Sequence, residues 1–107
     1  MAKNEIEAAR WNRKAAEQGN AAAQYRLGMM YVEGRGVAQY EAVAVNWFRK
    51  AADQGDVAAQ FQLGVMYAEG RLVETNEVEA VKWCRVAAEQ GHAAAQYRLG
   101  KAYVEGR

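Results

Sequence analysis

The side chains that could carry out chemistry are few and far apart in this sequence of 107 residues. His92 is the only histidine, and Cys84 is the only cysteine. The chain has no serine and a single threonine, Thr75, so serine-nucleophile catalysis is excluded. General acid–base catalysis by His92 would need a nucleophile or carboxylate partner, and no motif supplies one. A single cysteine also excludes an internal disulfide and a cysteine-based metal cluster.

The carboxylates are numerous, but they recur at a fixed interval instead of forming one unique pair. Glu33, Glu69 and Glu105 are spaced 36 residues apart. A carboxylate that recurs at a fixed interval is better explained as a surface or capping group than as a catalytic one. We therefore predict a protein that is not an enzyme and that has no cofactor and no metal site.

The overall composition indicates a helical protein with balanced charge. Fourteen basic and thirteen acidic residues are interleaved, so no basic stripe favours nucleic acid as a partner. No apolar run approaches the roughly 20 residues of a membrane span, and the first residues lack the apolar stretch of a signal peptide. The chain has 23 alanines and no proline, which favours an all-α fold because alanine is the best helix former.

The sequence repeats itself with a period of 36 residues. Residues 15–50 and 51–86 are identical at 20 of 36 positions without a gap, and residues 87–107 match 15–35 at 18 of 21. Such a period is the signature of stacked repeat units. We predict a single repeat domain over residues 1–107. Its parts are a half repeat (1–14), two repeats (15–50 and 51–86) and a partial repeat (87–107).

Glycines mark the predicted ends of helices. One glycine in each repeat follows an alanine-rich segment, at Gly19, Gly55 and Gly91. A left-handed glycine commonly ends a helix. Asn20 and Asp56 come next, and because both residue types are strong N-caps, a new helix is expected there. His92 holds the same position, so we interpret it as structural.

These helix-ending glycines and N-cap residues predict six helices. Three carry a tryptophan, at 5–18, 41–54 and 77–90, and three carry a tyrosine, at 21–33, 57–69 and 93–105. Within the first tyrosine helix, Ala23, Leu27, Met30 and Tyr31 recur at the spacing of one helix face. Such helices are marginal alone, so pairing and stacking must bury their apolar faces.

A further glycine column lies inside the tyrosine helices, at Gly28, Gly64 and Gly100. Glycine within a helix lowers helix stability by about 1 kcal/mol relative to alanine. Because this glycine occurs in every repeat, we infer that it provides a compensating benefit in each one. We expect that benefit to be the close approach of a neighbouring helix, with a tryptophan ring as a candidate contact. A flexible kink is the alternative. Cys84 aligns with Phe48 on the apolar side of a tryptophan helix, which predicts a buried small hydrophobe.

The sequence resembles the Sel-one-like repeat family, relatives of the tetratricopeptide repeats. The resemblance rests on Ala-Gln-Tyr-Arg-Leu-Gly-Met-Met-Tyr-Val-Glu-Gly-Arg-Gly-Val (23–37) and Ala-Val-Asn-Trp-Phe-Arg-Lys-Ala-Ala-Asp-Gln-Gly (44–55). It implies a right-handed superhelix of antiparallel helix pairs that acts as a protein–protein scaffold. The chain departs from the family pattern where Ala38 and Glu74 replace a loop proline, and where Leu72 replaces the loop glycine found at Gly36.

By this resemblance, the tyrosine helices line a concave groove that binds a peptide or protein segment. The candidate residues share a position beside the core stripe, and they are Tyr25, Arg26, Met29, Glu33, Phe61, Gln62, Val65, Glu69, Tyr97, Arg98, Lys101 and Glu105. A merely solvated face is the alternative for these positions. A structural or self-associating module without a separate ligand is the alternative function.

The two ends of the chain suggest self-association. The apolar stripes at the two ends are of the kind that a neighbouring helix covers in a repeat array. They include Trp11 at one end, and Leu99 and Tyr103 at the other. Three repeats of 36 residues need 108 residues, and the chain has 107. The first helix of one molecule could therefore lie where the next helix of another molecule belongs, in the same 36-residue repeat. Such a head-to-tail contact favours open chains. The alternative is that the ends are artefacts of truncation and simply fray.

Overall fold

All six predicted helices are present in the computed structural model, which describes residues 3–70 and 76–105. They are α1 (Lys3–Glu17), α2 (Ala21–Glu33), α3 (Glu41–Asp53), α4 (Val57–Glu69), α5 (Glu77–Glu89) and α6 (Ala93–Val104). Their ends differ from the sequence prediction by at most two residues, and the described residues contain no strand. The all-α prediction is confirmed.

The helices belong to two compact units, Met1–Asp56 and Val57–Arg107. In the first unit, α2 packs against both α1 and α3, and in the second unit α5 packs against both α4 and α6. Leu27 and Phe48 are fully buried in the first core, and Leu63 and Met66 are almost fully buried in the second. Each unit thus buries apolar side chains that its helices cannot bury alone.

The turn from a tryptophan helix into the next tyrosine helix has the predicted chemistry. Gly19, Gly55 and Gly91 have φ angles of 94°, 96° and 93°, in the left-handed region that glycine adopts without strain. Asn20 Oδ1 accepts a 2.9 Å hydrogen bond from the Ala23 N–H, and His92 Nδ1 accepts a 3.2 Å bond from the Ala95 N–H. His92 is therefore the N-cap of α6, as its register indicated.

The glycine column inside the tyrosine helices serves close packing where a following helix covers it. A Cβ built on Gly28 would lie 2.6 Å from the Phe48 ring, and one built on Gly64 would lie 2.7 Å from Cys84 Sγ. At Gly100, a built Cβ would meet nothing within 4 Å. The expectation of a tryptophan ring at this contact was wrong. The contacting residue follows the tryptophan by one position. Successive side chains of an α-helix are rotated by about 100° around its axis, so these two side chains point in different directions.

The loop after α2 lies against α1. Gly36 has a φ of 79°, and a Cβ built on it would collide with the backbone carbonyl of Glu5. Arg35 Nε donates a 2.9 Å hydrogen bond to the Glu5 carboxylate, which raises the pKa of the Arg35 guanidinium. The corresponding loop around Leu72 lies outside the described residues.

A chain of glutamine side chains, which the sequence did not reveal, joins the helices of each unit. Gln24 is only 4 % exposed, and its Nε2 donates to the Ala16 carbonyl oxygen at 3.1 Å. Its Oε1 accepts a 2.8 Å bond from Gln54 Nε2. In the second unit, Gln60 Oε1 accepts a 2.7 Å bond from Gln90 Nε2. These bonds satisfy amides that would be costly to bury unpaired.

Candidate functional site

The groups considered for catalysis have structural roles in this fold. The His92 ring packs against Phe61 with ring centroids 4.8 Å apart, and its Nδ1 already caps α6. Within the described ranges, no three His, Cys, Asp or Glu side chains are grouped closely enough to hold a metal ion. No helix in those ranges combines the length and apolar character needed to cross a bilayer.

A cleft in the second unit is bordered by α4, α5 and α6. Its volume is about 380 Å³, which is within the range of small-ligand pockets. Apolar side chains make up most of its lining, and they are Phe61, Ala68, Ala80, Val81, Cys84, Ala94, Leu99 and Ala102. The polar lining residues are Glu77, Tyr97, Arg98, Lys101 and Glu105.

Five of the residues predicted for the groove meet at this cleft. Phe61 lines it from α4, while Tyr97, Arg98, Lys101 and Glu105 line it from α6. The α6 residues other than Tyr97 are spaced three and four apart, so they share one helix face. The predicted groove residues of α6 therefore line this cleft.

The other three candidates of the second unit do not line the cleft. Gln62 and Val65 are half-buried and Glu69 is exposed on α4, but none of them is among the lining residues. They lie on the same face of α4, because their positions are three and four residues apart. Of the α4 residues predicted for the groove, only Phe61 therefore lines the cleft.

In the first unit, the four candidates on α2 differ in exposure. Tyr25 is half-buried against Phe48, with ring centroids 5.8 Å apart, and Met29 is also half-buried. Arg26 and Glu33 are exposed, and a Glu33 carboxylate oxygen lies 3.8 Å from Arg35 Nη1. Tyr25 therefore contributes to packing as well as to the surface.

Two acidic and two basic side chains line the cleft, and Arg98 is the one of the four that is half-buried. Arg98 is partly buried, and no acidic side chain in the described part of the chain pairs with it. Burial raises the pKa of the Cys84 thiol, and the positive charge of Arg98 partly opposes that rise. Arg98 thus sits close enough to the apolar floor to influence a buried group there.

The residues predicted for self-association are more exposed than their counterparts. Trp11 is 62 % exposed, with Lys14 Nζ 4.8 Å from its ring centroid. Tyr103 is 59 % exposed, and its hydroxyl accepts a hydrogen bond from Arg85. Leu99 is half-buried, although the leucines in the same column are buried in α2 and α4.

The sequence could have indicated the cleft through one substitution between repeats. Position 84 carries cysteine where position 48 carries phenylalanine. The smaller side chain packs against Gly64, whereas the phenylalanine ring packs against Gly28 in the other unit. This signal depends on knowing which residue lies over the glycine, and the sequence pointed to the neighbouring tryptophan instead.

Comparisons with known proteins agree on one family. The Sel1 repeat family model matches residues 1–20, 21–56, 57–92 and 93–107. A Sel1 repeat protein from Oxalobacter formigenes has a crystal structure that superimposes with a TM-score of 0.92 at 39 % identity, covering 96 % of this chain and 42 % of that one. A search of curated proteins found no match.

A second solved structure superimposes equally well. It is a protective antigen present in uropathogenic Escherichia coli strains that displays an SLR fold. The TM-score is 0.92 at 35 % identity, covering 98 % of this chain and 22 % of the other. The chain thus spans less than half the length of both solved proteins.

Proposed function

The chain belongs to the Sel1 repeat family, and on that premise we propose that it binds a protein or peptide segment along its tyrosine-bearing helices. Proteins of this family are generally protein-interaction scaffolds and are typically not catalytic. The proposal extends to the absence of enzymatic activity in this chain and to protein, not nucleic acid, as the partner. The interleaved charges support that choice.

The single observation that carries the proposal is the apolar cleft walled by α6. Tyr97, Arg98 and Lys101 converge there, and tyrosine and arginine are enriched among residues that dominate binding energy. A concave apolar surface with a few polar groups at its edge is the usual form of a binding site. On α2, the exposed Arg26 occupies the same repeat position as Arg98.

The experiment is a selection of 12-residue peptides from a random displayed library on the wild-type chain. The affinity of the selected peptides is then measured by fluorescence anisotropy for the parent and for the R26A/R98A double variant. We expect the double variant to bind at least tenfold more weakly, a loss of about 1.4 kcal/mol. The matched control is R10A, because Arg10 is an exposed arginine of α1 that pairs with Glu7.

Two results would contradict the groove. One is a library that yields no peptide binding the folded wild-type chain. The other is a selected peptide that binds R26A/R98A as tightly as it binds the parent and R10A. Either would favour a solvated face over a binding surface.

Head-to-tail self-association is a second candidate function, and an open helix face of α6 favours it. In the first unit α3 covers Gly28, and in the second α5 covers Gly64. The matching Gly100 has nothing within 4 Å of a built Cβ, and the matching Gln96 is exposed. A tryptophan helix is what covers this face in each unit.

The proposed occupant is α1 of a second molecule. In the 36-residue alignment, Asn12 of α1 corresponds to Phe48 and Cys84, the residues that pack over the glycines. Gln18 corresponds to Gln54 and Gln90. Docking would place Asn12 over Gly100 and Gln18 beside Gln96, with Trp11, Leu99 and Tyr103 at the margin. The exposed Gln18 and Gln96 could then form the same amide bond seen within each unit.

Sedimentation equilibrium over a wide concentration range tests this candidate. We expect the average mass to rise with concentration for the wild type and to stay monomeric for G100L. The leucine would block the face without crowding its own unit, since the space around Gly100 is open. A wild type that remains monomeric to millimolar concentration, or a G100L variant that associates equally well, excludes the contact.

A further inference from the structure

The first unit has a concave surface of its own on its tryptophan helices, α1 and α3. We call it the basic pocket, and its volume is about 480 Å³. Arg13 lines it from α1, and the lining residues of α3 are Val43, Asn46, Trp47, Arg49, Lys50 and Asp53. None of these residues belongs to a tyrosine helix, so the basic pocket is separate from the proposed groove.

The charges that line the basic pocket are unbalanced. Among the described lining residues, Arg13, Arg49 and Lys50 are basic and Asp53 is acidic, which leaves an excess of two positive charges (three minus one). The formal net charge of the whole chain is only +1, so positive charge is concentrated here. The cleft beside α6 differs, because two residues of each sign line it.

Two of these cations lack a negative counterpart. Within the described ranges, neither Arg13 nor Lys50 takes part in an ion pair. The Arg13 guanidinium donates a hydrogen bond to the Tyr31 hydroxyl, and Lys50 Nζ lies 5.0 Å from the Trp47 ring centroid. A neutral hydroxyl and an indole ring carry no negative charge, so both cations are available to an anionic ligand.

The same contacts hold the basic pocket in shape without a ligand. Arg13 is half-buried, and its guanidinium carbon lies 5.7 Å from the Tyr31 ring centroid. Trp47 is half-buried as well, because part of its ring packs against the core of the unit. Side chains that are already fixed lose less entropy when a ligand binds. The basic pocket is therefore preorganised on both of its helices.

The length of the basic pocket suits an extended segment of chain. Its α3 lining runs from Val43 to Asp53, which is about 15 Å along the helix axis at 1.5 Å per residue. An extended chain rises about 3.3 Å per residue, so about five residues cover that length. Alternate side chains of such a segment point to the same side. Two carboxylates separated by one residue can thus face the pocket together.

We propose that the basic pocket binds a short, extended acidic segment of a partner protein, with one carboxylate paired to Arg13 and another to Arg49 and Lys50. Charge complementarity carries the proposal, since hydrogen bonds between arginine and a carboxylate are strong and directional. Asp53 repels further negative charge at its end of the pocket, so two carboxylates are preferred to a long acidic run. This is a second binding surface, beyond the proposed groove of the tyrosine helices.

A membrane surface is a poorer match for this site than a peptide segment. Trp47 is half-buried in a concave surface, whereas residues that anchor a protein to a bilayer must reach out to a flat one. A nucleic acid is also less suited, because three basic side chains do not form the extended basic stripe that follows a phosphate backbone.

The experiment uses a capped pentapeptide with glutamates at its second and fourth positions among glycines. A matched peptide carries glutamines there. Each is titrated into the isotope-labelled full chain, and the three indole N–H signals, assigned with the W11F and W83F variants, locate the binding. We expect the glutamate peptide to shift the Trp47 signal most and the glutamine peptide to leave it unchanged. Equal shifts with both peptides, or no shift of Trp47 with either, overturn the proposal.

The decisive variant is K50E, which reverses one charge of the basic pocket. Lys50 is exposed, so the variant is expected to fold. We expect it to bind the glutamate peptide at least tenfold more weakly. The matched control is K82E, because Lys82 is also exposed and lies 5.5 Å from a tryptophan ring centroid, that of Trp83 in the second unit. Equal weakening by K82E would mean that net charge alone attracts the peptide, and it overturns the site.

Two further titrations test the other anionic partners. Vesicles containing phosphatidylserine and a single-stranded oligonucleotide are compared with the peptide at equal concentrations of negative charge. We expect the peptide to shift the Trp47 signal at the lowest concentration. A stronger response to the vesicles or to the oligonucleotide overturns the assignment to a protein segment.

The basic pocket and the groove can fail separately. R26A/R98A should bind the glutamate peptide as the parent does, because neither arginine lines the basic pocket. If the glutamate peptide does not shift Trp47 while library-selected peptides still depend on Arg26 and Arg98, the basic pocket is wrong and the groove stands. If K50E alone loses the glutamate peptide and no selected peptide depends on those arginines, the groove is wrong and the basic pocket stands.

Discussion

A Cβ atom built on Gly64 would lie 2.7 Å from Cys84 Sγ and 3.2 Å from the Ala80 carbonyl oxygen. Helices α4 and α5 thus meet where α4 has no side chain. Real Cβ contacts essentially never fall below 3.0 Å, so any substitution here must push α5 away or displace the thiol. This contact explains why an otherwise costly glycine lies inside a helix.

We predict opposite effects of one substitution at two positions of the same glycine column. Gly64→Ala should destabilise the chain by about 1–2 kcal/mol, because overpacking exceeds the gain in helix propensity, and Gly64→Leu by about 2–3 kcal/mol. Gly100→Ala should stabilise by up to about 1 kcal/mol, since the space there is open. Urea unfolding measures both, and effects of the same sign would refute the packing account.

A second prediction compares two left-handed glycines. Both Gly36 and Gly55 have positive φ, so alanine at either position costs about 1–2 kcal/mol of backbone strain. Only at Gly36 would the new Cβ also strike a neighbour, the backbone of Glu5 in α1. Gly36→Ala should therefore lower the unfolding free energy clearly more than Gly55→Ala in the same urea assay. Equal losses would mean that the loop does not press on α1.

The glutamine contact of the first unit should behave as a coupled pair. Gln24→Ala removes the bond to Ala16 and leaves the amide of Gln54 without its acceptor, which should cost about 1–3 kcal/mol. Gln54→Ala alone should cost less, since Gln54 is exposed. A double-mutant cycle should give a coupling of at least 0.5 kcal/mol, a typical value for residues in contact. Strict additivity would show that the bond contributes nothing.

The buried thiol should react slowly and with a shifted pH dependence. Burial raises the pKa of Cys84, and only the thiolate is nucleophilic, so less of the reactive form is present at any given pH. The alkylation rate of the native chain should rise towards its plateau at higher pH than that of the urea-unfolded chain. R98Q should move the native profile to still higher pH, because Arg98 favours the thiolate. Coinciding native and unfolded profiles would contradict the burial.

The sequence predicted the helices well because their signals are local. The glycines at 19, 55 and 91 and the N-cap Asn20 act through their own backbone, so their types alone located the turns. The buried Gln24 was missed for the opposite reason. A glutamine within a helix is typical of an exposed position, and its burial depends on Ala16 and Gln54, which lie at the ends of two other helices.

The residues that line the cleft were predicted in part for a similar reason. Arg98, Lys101 and Glu105 share a helix face, and periodicity is enough to find such a set. The cleft itself depends on how α4, α5 and α6 pack together. Neither the spacing nor the residue types on one helix encode that arrangement.

The glycine column has a consequence for how this kind of protein can diversify. Phe48 packs over Gly28 and Cys84 packs over Gly64, so residues of very different volume make the same helix contact. A single codon can thereby change the volume packed between two helices while the helices and caps stay the same. In a longer array, the order of large and small residues at this position would tune successive helix contacts one repeat at a time.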